Sequence, residues 1–534
     1  MTTLTLPVVR TEPHAAPADS WRVRAISWVR HRRLSLAILL ALLAVVGVVN
    51  TWNLHGWPGR INDDEATYVA QAWAMVARGD LAHYTYWYDH PFLGWAMIAG
   101  YAWVTDGFDR APSAIMVGRE FMVLTLLASC AFLFLLARRL RLHRASASVV
   151  VLLFGLSPLA VYFHRMVFLD NLATMWILAA FAIAASPRRS LGAAFWSAVC
   201  MAGAALTKET IAILLPALVW LLVQHTDRRT RVWNVSVFFT TFGALVASYP
   251  IYALLKNELL PGEGHVSLGW AIWWQLFGRS GSGSLLDTGS GTFSLAKSWT
   301  DIDPWLLLSG VLLIPLGLAV RKLRPIALAL LIQVVMMLRG GYLPFAYVIA
   351  LLPFAALLVG GALSCVRLAA PARDGGADAA AAGNAVLPRW WRRAGRVPVA
   401  AAAAAAFAVF VAPAWAGTLR DQSTVDGDAG SRAATRWVVQ HVPRDAVVIT
   451  DDYIWMDLTL AGFQNPVWLW KVDQDPEVMR EKLPHGTASI DYIVMAGQAD
   501  STLTALPTLK DGVANSEVVA RFDEIEVRRV TMAP

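Results

Sequence analysis

Long apolar stretches separated by short polar segments dominate the first 412 residues of the chain. An α-helix needs about 20 apolar residues to cross the hydrocarbon core of a bilayer, and stretches near that length recur along this part of the sequence. They cover residues 34–50, 114–137, 146–163, 168–186, 190–206, 210–224, 232–255, 303–320, 325–338, 342–365 and 397–412. The pattern predicts a mainly α, polytopic membrane protein with about 11 transmembrane helices, or 11–13 if shorter stretches also cross.

A twelfth apolar stretch, residues 91–105, is short for a span. It carries Trp95, Tyr101 and Trp103, and amphipathic aromatic rings favour the membrane interface. If this stretch crossed the bilayer, most of the basic clusters that follow it would move to the outer side, against the positive-inside rule. We therefore expect residues 91–105 to lie in the interface.

The sequence changes to a soluble pattern in residues 413–534. The predicted elements there are a helix at 433–441, strands at 446–450 and 492–496, and an alternating strand pattern through 518–527. This succession is typical of an α/β fold, so a small C-terminal α/β domain is expected. Its aromatic residues include Tyr453, Trp455, Trp468 and Trp470, which either contact sugars or pack at strand ends beside surface acids.

Composition excludes several other classes of protein. Only 16% of the residues are charged, against about 25% in soluble chains, and 57% are hydrophobic, so a soluble enzyme and a disordered chain are both ruled out. The cysteines Cys130, Cys200 and Cys365 lie inside apolar stretches, which excludes a disulfide framework. The net charge of +7 does not require a nucleic-acid partner, because the basic residues flank the apolar stretches.

The orientation of the chain follows from those basic residues, because cytoplasmic loops are enriched in Lys and Arg. With the flexible basic tail 1–33 in the cytoplasm, the later basic clusters also fall inside, including the one in the loop 367–396. The outer face then holds the loops 51–113 and 256–302 and the C-terminal domain, 413–534. We expect a multi-pass protein of the plasma (inner) membrane, with its active site at the outer face of the membrane region 34–412.

Charged residues at the outer ends of apolar helices are costly and are therefore candidates for function. The first outer loop carries Asp63, Asp64 and Glu65 just before a helical pattern. One interpretation is a capping box, in which Asn62 caps the helix and Glu65 bonds back to it. Such a box engages only its two ends, and it would leave Asp63 and Asp64 facing outward at the membrane surface.

Further candidates follow along the chain. They are His90 at the start of the interfacial stretch, Arg119 within the second span, Arg165 and Asp170 between the third and fourth spans, and Lys208 between the fifth and sixth. Each also has a structural interpretation, as a helix start, a helix cap, a pair of neighbouring charges or an exposed turn. Together they place carboxylates and cations at one depth. That arrangement suits an anionic lipid, since cations bind a phosphate and a carboxylate takes a proton from an attacking hydroxyl.

As an ordered set, these motifs resemble those of the type-C glycosyltransferases, in particular the branch of protein O-mannosyltransferases and lipid A aminoarabinose transferases. The motifs are Asp64-Glu65-Ala66-Thr67-Tyr68, Asp89-His90-Pro91, Arg119 ahead of the pair Arg138-Arg139, Arg165 with Asp170-Asn171-Leu172, and Thr207-Lys208. The resemblance covers residues 35–225, and Phe92 stands where the family has a second proline.

The resemblance implies transfer of a sugar, mannose-like or another hexose or pentose, from a polyprenyl-phosphate carrier to an extracytoplasmic protein, glycan or lipid hydroxyl. Inversion at the anomeric carbon is expected. The catalytic residues would be Asp64 as the base, Glu65 as its partner and Asp170, which would orient a cation or the acceptor. The substrate-binding residues would be Tyr68, His90, Arg119, Arg165 and Lys208. No cofactor is certain, because some relatives use a divalent metal, here on Asp64, Glu65 and Asp170, and others use none.

Two other functions share this composition. A lipid or glycan transporter or flippase would also have many spans, but it would place ionisable groups near the bilayer midplane, commonly with internal repeats, and the sequence shows no repeat. A non-catalytic scaffold that binds through its C-terminal domain would leave Arg119 unexplained. The Gly/Ser tract 278–291 is either a flexible connector or a lid over bound substrate.

Overall fold

A computed structural model of the chain describes residues 21–59, 63–79, 88–262, 267–368, 405–497 and 500–531. The predicted helix cap Asn62 and most of the predicted cytoplasmic loop 367–396 lie outside these residues.

The described part of the membrane region is helical. Its helices are α1 (Trp21–Thr51), α2 (Asp64–Arg78), α3 (Leu93–Thr105), α4 (Gly107–Arg110), α5 (Ala114–Arg139), α6 (Arg144–Leu156), α7 (Pro158–His164), α8 (Leu169–Ala184), α9 (Leu191–Ala205), α10 (Leu215–Gln224), α11 (Arg231–Val246), α12 (Ser248–Leu255), α13 (Leu268–Trp273), α14 (Gly291–Ile302), α15 (Pro304–Leu312), α16 (Ile314–Ala319), α17 (Arg324–Leu338) and α18 (Leu352–Leu368). Short 3₁₀ segments, Glu209–Leu214 and Phe345–Ala350, precede α10 and α18.

The predicted apolar stretches are predominantly helical wherever the structure describes them. By length and composition, the helices able to cross a membrane are Arg33–Thr51, Ala114–Arg139, Arg231–Leu255 and Phe345–Cys365, with the bent pair α6 and α7 as a fifth. Shorter apolar helices cover Leu169–Ala184, Leu191–Ala205, Glu209–Gln224 and Arg324–Leu338. The chain is therefore a multi-pass membrane protein.

Prolines account for two breaks inside predicted spans. Helix α7 meets α6 at an angle of 59° and begins at Pro158, after Ser157, whose hydroxyl accepts a hydrogen bond from the Ala160 N–H at 3.2 Å. The predicted span 303–320 consists of α15 and α16, with Pro315 in the first turn of α16. Proline is tolerated at a helix start because its missing N–H would have no helical partner there.

The first outer loop contributes two helices that pack on each other and on α5. Helix α2 buries an apolar face that includes Ala66, Val69 and Ala70, and it ends at Gly79, which adopts a left-handed conformation with φ of 70°. Helix α3 covers most of the stretch predicted to lie in the interface. These two helices carry or adjoin several residues of the candidate site.

The C-terminal region contains one sheet flanked by helices. Its helices are α19 (Ala412–Thr424), α20 (Ala429–His441), α21 (Asp452–Leu460), α22 (Pro476–Glu481), α23 (Asp500–Ala505) and α24 (Pro507–Ala514), and its strands are β1 (Val447–Thr450), β2 (Asn465–Trp468), β3 (Tyr492–Ala496), β4 (Ser516–Phe522) and β5 (Ile525–Val530). The strand order is β2-β1-β3-β5-β4. Strands β1, β2 and β3 run parallel, whereas β5 pairs antiparallel with β3 and β4.

The alternating pattern predicted through 518–527 is a hairpin rather than one strand. Its two strands, β4 and β5, meet at a turn that includes Asp523, with φ of 51°, and a bulge between Val518 and Ala520 shifts the register. A positive φ is accessible to aspartate. An alternating pattern alone gives no sign of such a reversal.

The C-terminal region is bonded directly to the first outer loop. The Gly427 N–H donates to the Gly56 carbonyl at 2.8 Å, and the Asn53 side-chain amide donates to the Val425 carbonyl at 2.7 Å. The Asp457 carboxylate of α21 accepts from the Ala114 N–H at the start of α5. These contacts fix the C-terminal region against the helix ends that carry residues 53–56 and Ala114.

Candidate active site

His90 and Lys208 form the centre of the candidate site, although 118 positions separate them in the sequence. The Lys208 ammonium lies 2.8 Å from His90 Nε2 and 3.8 Å from the Asp170 carboxylate. His90 precedes α3, Asp170 lies in the first turn of α8, and Lys208 follows α9. Three predicted site residues therefore converge from three separate helix ends, and all three side chains are buried.

The second nitrogen of His90 faces a carboxylate. His90 Nδ1 lies 3.1 Å from the Glu209 carboxylate, and Nε2 lies 3.6 Å from that of Asp89. Because Lys208 donates to Nε2, the neutral ring carries its proton on Nδ1 and donates it to Glu209. We call Asp89, His90, Asp170, Lys208 and Glu209 the lysine cluster.

Lys208 and His90 both have a raised pKa in spite of burial. Burial lowers the pKa of Lys208, but the surrounding carboxylates, Asp170 foremost, raise it by more. Burial and the Lys208 ammonium lower the pKa of His90, whereas Asp89 and Glu209 raise it by more. A phosphate oxygen between the two nitrogens could accept from both, with His90 taking up a proton.

Asp64 stands beside the lysine cluster, in the first turn of α2. Desolvation raises the pKa of its carboxyl to about 6, against the attraction of the Lys208 ammonium and with a further increase from Asp63 and Asp89. A carboxylate whose pKa approaches neutrality is suited to accept a proton during a reaction. Among the three predicted catalytic carboxylates, Asp64 has this property and Asp170 faces Lys208.

Tyr68 lies one helical turn after Asp64 and is also at this site. Its ring packs edge-on to His90, with 6.0 Å between the ring centroids. Its hydroxyl is buried and has no hydrogen-bond partner within the described ranges. A buried hydroxyl without a partner costs stability, so the side chain is poised to bond an incoming group.

Arg279, in the second outer loop, is a site residue that sequence reasoning did not select. It donates to Gln275 at 3.1 Å, and Gln275 donates to Asp89 of the lysine cluster at 3.1 Å. The guanidinium stacks on Tyr342, 3.4 Å from the ring centroid. Its position at the start of the Gly/Ser tract, in an outer loop, is the one sequence signal that could have identified it.

The Gly/Ser tract is held in place by residues 337–343. The Leu285 N–H donates to the Met337 carbonyl at 3.0 Å, the Ser284 hydroxyl donates to the Leu338 carbonyl at 2.7 Å, and the Leu343 N–H donates to the Ser282 hydroxyl at 3.1 Å. The tract is therefore anchored, and it fixes the loop that carries Arg279.

Glu65 and Arg119 form a separate, fully buried network. The Arg119 guanidinium donates to Glu65 at 2.7 and 3.3 Å and to Asp428 of the C-terminal region at 3.3 Å. Tyr453, on α21, donates its hydroxyl proton to Glu65 at 3.1 Å. We call Glu65, Arg119, Asp428 and Tyr453 the arginine cluster.

Asp64 and Glu65 are adjacent in the sequence and were both predicted to be site residues, but their side chains point to different clusters. Asp64 faces the lysine cluster, whereas Glu65 bonds to Arg119 and Tyr453. The capping box proposed for Glu65 also differs from this arrangement, because Asp63 is the N-cap residue of α2 and makes no side-chain cap bond. Successive residues of a helix point about 100° apart. The first turn of α2 therefore places Asp64 beside the lysine cluster and Glu65 in the arginine cluster.

Arg165 lies in neither cluster. Its guanidinium donates to the Trp52 carbonyl at 2.6 Å and lies 5.3 Å from the centroid of the Trp57 ring. The residue is buried, and its Nε has no partner in the part of the chain that the structure describes. It joins α7 to the segment after α1 rather than to His90 and Lys208.

The carboxylates proposed as metal ligands do not converge. Glu65 is engaged by Arg119, and Asp170 faces the Lys208 ammonium. Over residues 21–531, outside the gaps between the described segments, no group of three or more His, Cys, Asp or Glu side chains is placed to hold a metal ion.

Comparison with known proteins gives a family match over part of the chain and structural matches over most of it. Residues 89–253, which contain the lysine cluster, match the model of the dolichyl-phosphate-mannose-protein mannosyltransferase family. No protein of curated function matches the sequence.

Solved structures match over nearly the whole chain. The structure of ArnT from Cupriavidus metallidurans bound to undecaprenyl phosphate aligns with a TM-score of 0.55 and 18% identity, covering 92% of this chain and 97% of that one. Its apo form gives 0.54 and 18%, covering 95% and 98%. The Archaeoglobus fulgidus oligosaccharyltransferase in complex with zinc and sulfate gives 0.52 and 12%, covering 85% and 68%.

At these identities the structural likeness shows the fold. The resemblance seen in the sequence motifs is confirmed by the family match over residues 89–253 and by the structural matches. The chain is a multi-pass membrane protein with the type-C glycosyltransferase fold, similar over those residues to the dolichyl-phosphate-mannose-protein mannosyltransferases.

Proposed function

We propose that this protein is an inverting glycosyltransferase that moves a sugar from a polyprenyl-phosphate carrier to a hydroxyl on the extracytoplasmic side. The observation that carries the proposal is the position of Asp64, with its raised pKa, beside the buried pair His90 and Lys208. Support comes from the family match and from the relative with this fold that was solved with undecaprenyl phosphate.

The proposed topology has eleven spans, with the N-terminus in the cytoplasm and an α/β domain on the outer face. The positive-inside rule supports this orientation. So does the attachment of the C-terminal sheet to the first outer loop, through Gly427 and Gly56. The plasma (inner) membrane is the proposed location.

The lipid phosphate would bind between the cations of the lysine cluster. The Lys208 ammonium and His90 Nε2 lie 2.8 Å apart, and Nε2 would take up a proton and donate it to the phosphate. Arg279 approaches the same site through Gln275 and Asp89. We assign Asp170 a positioning role, because its carboxylate faces the Lys208 ammonium. Charge-assisted bonds to phosphate are stronger than neutral ones, which suits a dianionic leaving group.

The proposed reaction is a single displacement at the anomeric carbon. The acceptor oxygen forms a bond to this carbon while the bond between the carbon and the phosphate oxygen breaks, and the phosphate leaves with the electron pair. The proton of the acceptor hydroxyl passes to the Asp64 carboxylate. Attack opposite the leaving phosphate inverts the anomeric configuration. The Tyr68 hydroxyl, one turn away, would bond the acceptor or the transferred sugar.

The arginine cluster takes a structural role in this proposal. The resemblance implied Glu65 as the partner of the base and Arg119 as a phosphate ligand, but the two side chains neutralise each other and have no exposed surface. They would lock the start of α2 to the C-terminal region. Arg165 would likewise hold the segment around Trp52 and Trp57.

No step is assigned to a metal ion. The carboxylates that would bind one are engaged by protein cations, Glu65 by Arg119 and Asp170 by Lys208, so this donor set does not fit a divalent metal. Dialysis of the purified protein against EDTA is expected to leave transfer unchanged.

Transfer of radiolabelled sugar from a polyprenyl-phosphate donor to membrane fractions containing the native acceptor tests the proposal. The wild type is expected to label an extracytoplasmic product, and Asp64→Asn is expected to lose labelling while still binding donor. A transporter or flippase would instead move the carrier lipid across vesicles without forming a new glycosidic bond.

A further inference from the structure

A cavity of about 190 Å³ lies where the C-terminal end of α2 meets the C-terminal region. Arg78, the last residue of α2, forms one side of it. The lining residues from the C-terminal region include Trp455, Trp468, Glu481 and Lys482. The cavity belongs to neither charged cluster of the candidate site, and it is built from two parts of the chain that sequence order keeps far apart.

The lining combines rigid indole rings with charges of both signs. The Trp455 indole N–H donates to the Pro466 carbonyl at 2.9 Å, and its ring packs edge-on to Trp73, with 6.4 Å between centroids. Trp468 also lies largely buried in this wall. Flat apolar surfaces fixed in this way suit a ligand that has an apolar face of its own.

The charged residues at the cavity supply donors and acceptors. Arg78 lies 5.0 Å from the Trp73 ring centroid, and the Lys482 ammonium donates to the Asn465 side chain at 2.7 Å. Within the described residues neither cation has a carboxylate within salt-bridge distance. Cations and the nearby Glu481 carboxylate can bond adjacent hydroxyls, and a pyranose offers hydroxyls around an apolar ring face.

An extended peptide fits this wall less well than a sugar. Strand β2 is at the edge of the sheet, where a peptide strand would add. Pro466 has no N–H to offer, and its carbonyl already accepts from Trp455. The Gln464 carbonyl accepts from Lys482 at 3.3 Å. Two of the main-chain groups that a peptide could use near this edge are therefore engaged and one is missing, which makes pairing with a peptide strand less favourable.

Helix α2 sets the distance between this cavity and the proposed base. Asp64 and Arg78 are the two ends of the helix, so at about 1.5 Å per residue they lie roughly 21 Å apart. Helix α21 contacts both parts of α2. Its Tyr453 bonds Glu65 near the start of α2, and its Trp455 lines the cavity beside Arg78. A ligand that reached from one site to the other would need several sugar residues.

We propose that this cavity binds a sugar residue of a glycan acceptor, several residues away from the hydroxyl that is glycosylated beside Asp64. The proposal rests on the proposed glycosyl transfer and names its acceptor as an oligosaccharide or polysaccharide chain. The cavity holds the chain while its accepting residue occupies the candidate active site.

Saturation-transfer NMR on the full-length, detergent-solubilised protein tests this proposal. The probes are mannotriose, maltotriose, cellotriose and chitotriose, together with an unglycosylated Ser/Thr-rich peptide. We expect at least one trisaccharide to bind. Arg78→Ala and Lys482→Ala should weaken its Kd by about ten-fold. Lys510→Ala, an exposed charge of the same region outside the cavity, should leave the Kd unchanged.

Three results would overturn the proposal: no trisaccharide binding, trisaccharide binding that is the same in both cavity variants, or binding of the peptide alone. Asp64→Asn separates this proposal from the proposed function. Trisaccharide binding that persists in Asp64→Asn, together with loss of transfer, supports both proposals. Transfer that persists in Asp64→Asn would overturn the chemistry while leaving the saccharide site standing.

Discussion

The lysine cluster and the arginine cluster each contain a buried cation, Lys208 or Arg119, but they differ in how completely their members are paired and enclosed. In the arginine cluster, Arg119 and Glu65 have no exposed side-chain surface, and their bonds reach into the C-terminal region. In the lysine cluster, the Lys208 ammonium lies 3.8 Å from the Asp170 carboxylate, and the Glu209 side chain is 46% exposed. The arginine cluster is therefore closed, whereas the lysine cluster is open to a ligand.

This difference shows why a charge at membrane depth is not sufficient evidence for a catalytic role. Asp64 and Glu65 are adjacent, and both were candidates because each is a carboxylate at the predicted outer end of a helix. A closed ion pair has no donor left for a substrate, whereas an open one can exchange a protein partner for a phosphate. Pairing therefore distinguishes the proposed active site from the proposed structural lock, and the following changes test that distinction.

The largest expected effect is that of Asp64→Asn in the open site. Removal of a general base lowers kcat by about 10²–10⁴-fold, since the amide cannot accept the acceptor proton. Asp63→Asn is the matched control, because Asp63 is exposed at the adjacent position and should retain transfer. Equal loss in both variants, in assays of sugar transfer, would contradict the assignment of the base.

The next effect belongs to the closed cluster. Arg119→Leu leaves Glu65 and Asp428 buried without their cation and is expected to cost about 3–5 kcal/mol of stability, measured by thermal unfolding in detergent. Arg110→Ala, which breaks the partly exposed pair with Glu120, should cost under about 1 kcal/mol. A raised donor KM with unchanged thermal stability in Arg119→Leu would instead place Arg119 at the phosphate.

A smaller effect is expected for Lys208→Ala. Loss of one charge-assisted bond to the phosphate should raise the donor KM by about 10–100-fold, with a lesser change in kcat. Lys256→Ala, an exposed lysine near the second outer loop, is the control. Donor titrations in which both variants match the wild type would remove Lys208 from the phosphate site.

The smallest effect is on pH dependence. Because Asp64 must be ionised to accept a proton and its pKa is about 6, kcat/KM should fall as the pH drops through 6. The fall approaches about ten-fold per pH unit below that value. A profile that stays flat down to pH 5, where the wild type remains folded, would be inconsistent with Asp64 as the titrating base.

The membrane architecture and part of the site could be predicted from the sequence, because both depend on local pattern. Apolar stretches give helices, and Asp64, His90 and Lys208 each stand at a helix end on the predicted outer side. The helical start of the C-terminal region also followed its periodicity, since the helix predicted at 433–441 lies within α20 (Ala429–His441).

The remaining features depend on contacts between distant parts of the chain. Arg119 meets Asp428 across 309 residues, and Glu65 meets Tyr453 across 388, so local pattern gives no sign that these charges are already paired. Arg279 reaches the site through Gln275 and Asp89. The Gly/Ser tract around Arg279 has the composition of an ordinary loop, so the local sequence does not single this residue out.

The most direct test of the central claim is mass spectrometry of the lipids that co-purify with the wild type and with Lys208→Ala. If the open cluster binds the phosphate of a lipid-linked donor, the wild type will carry a polyprenyl-phosphate or its glycosylated form, and the variant will be depleted of it. Absence of any such lipid from the wild type, or equal amounts in both proteins, would contradict the account.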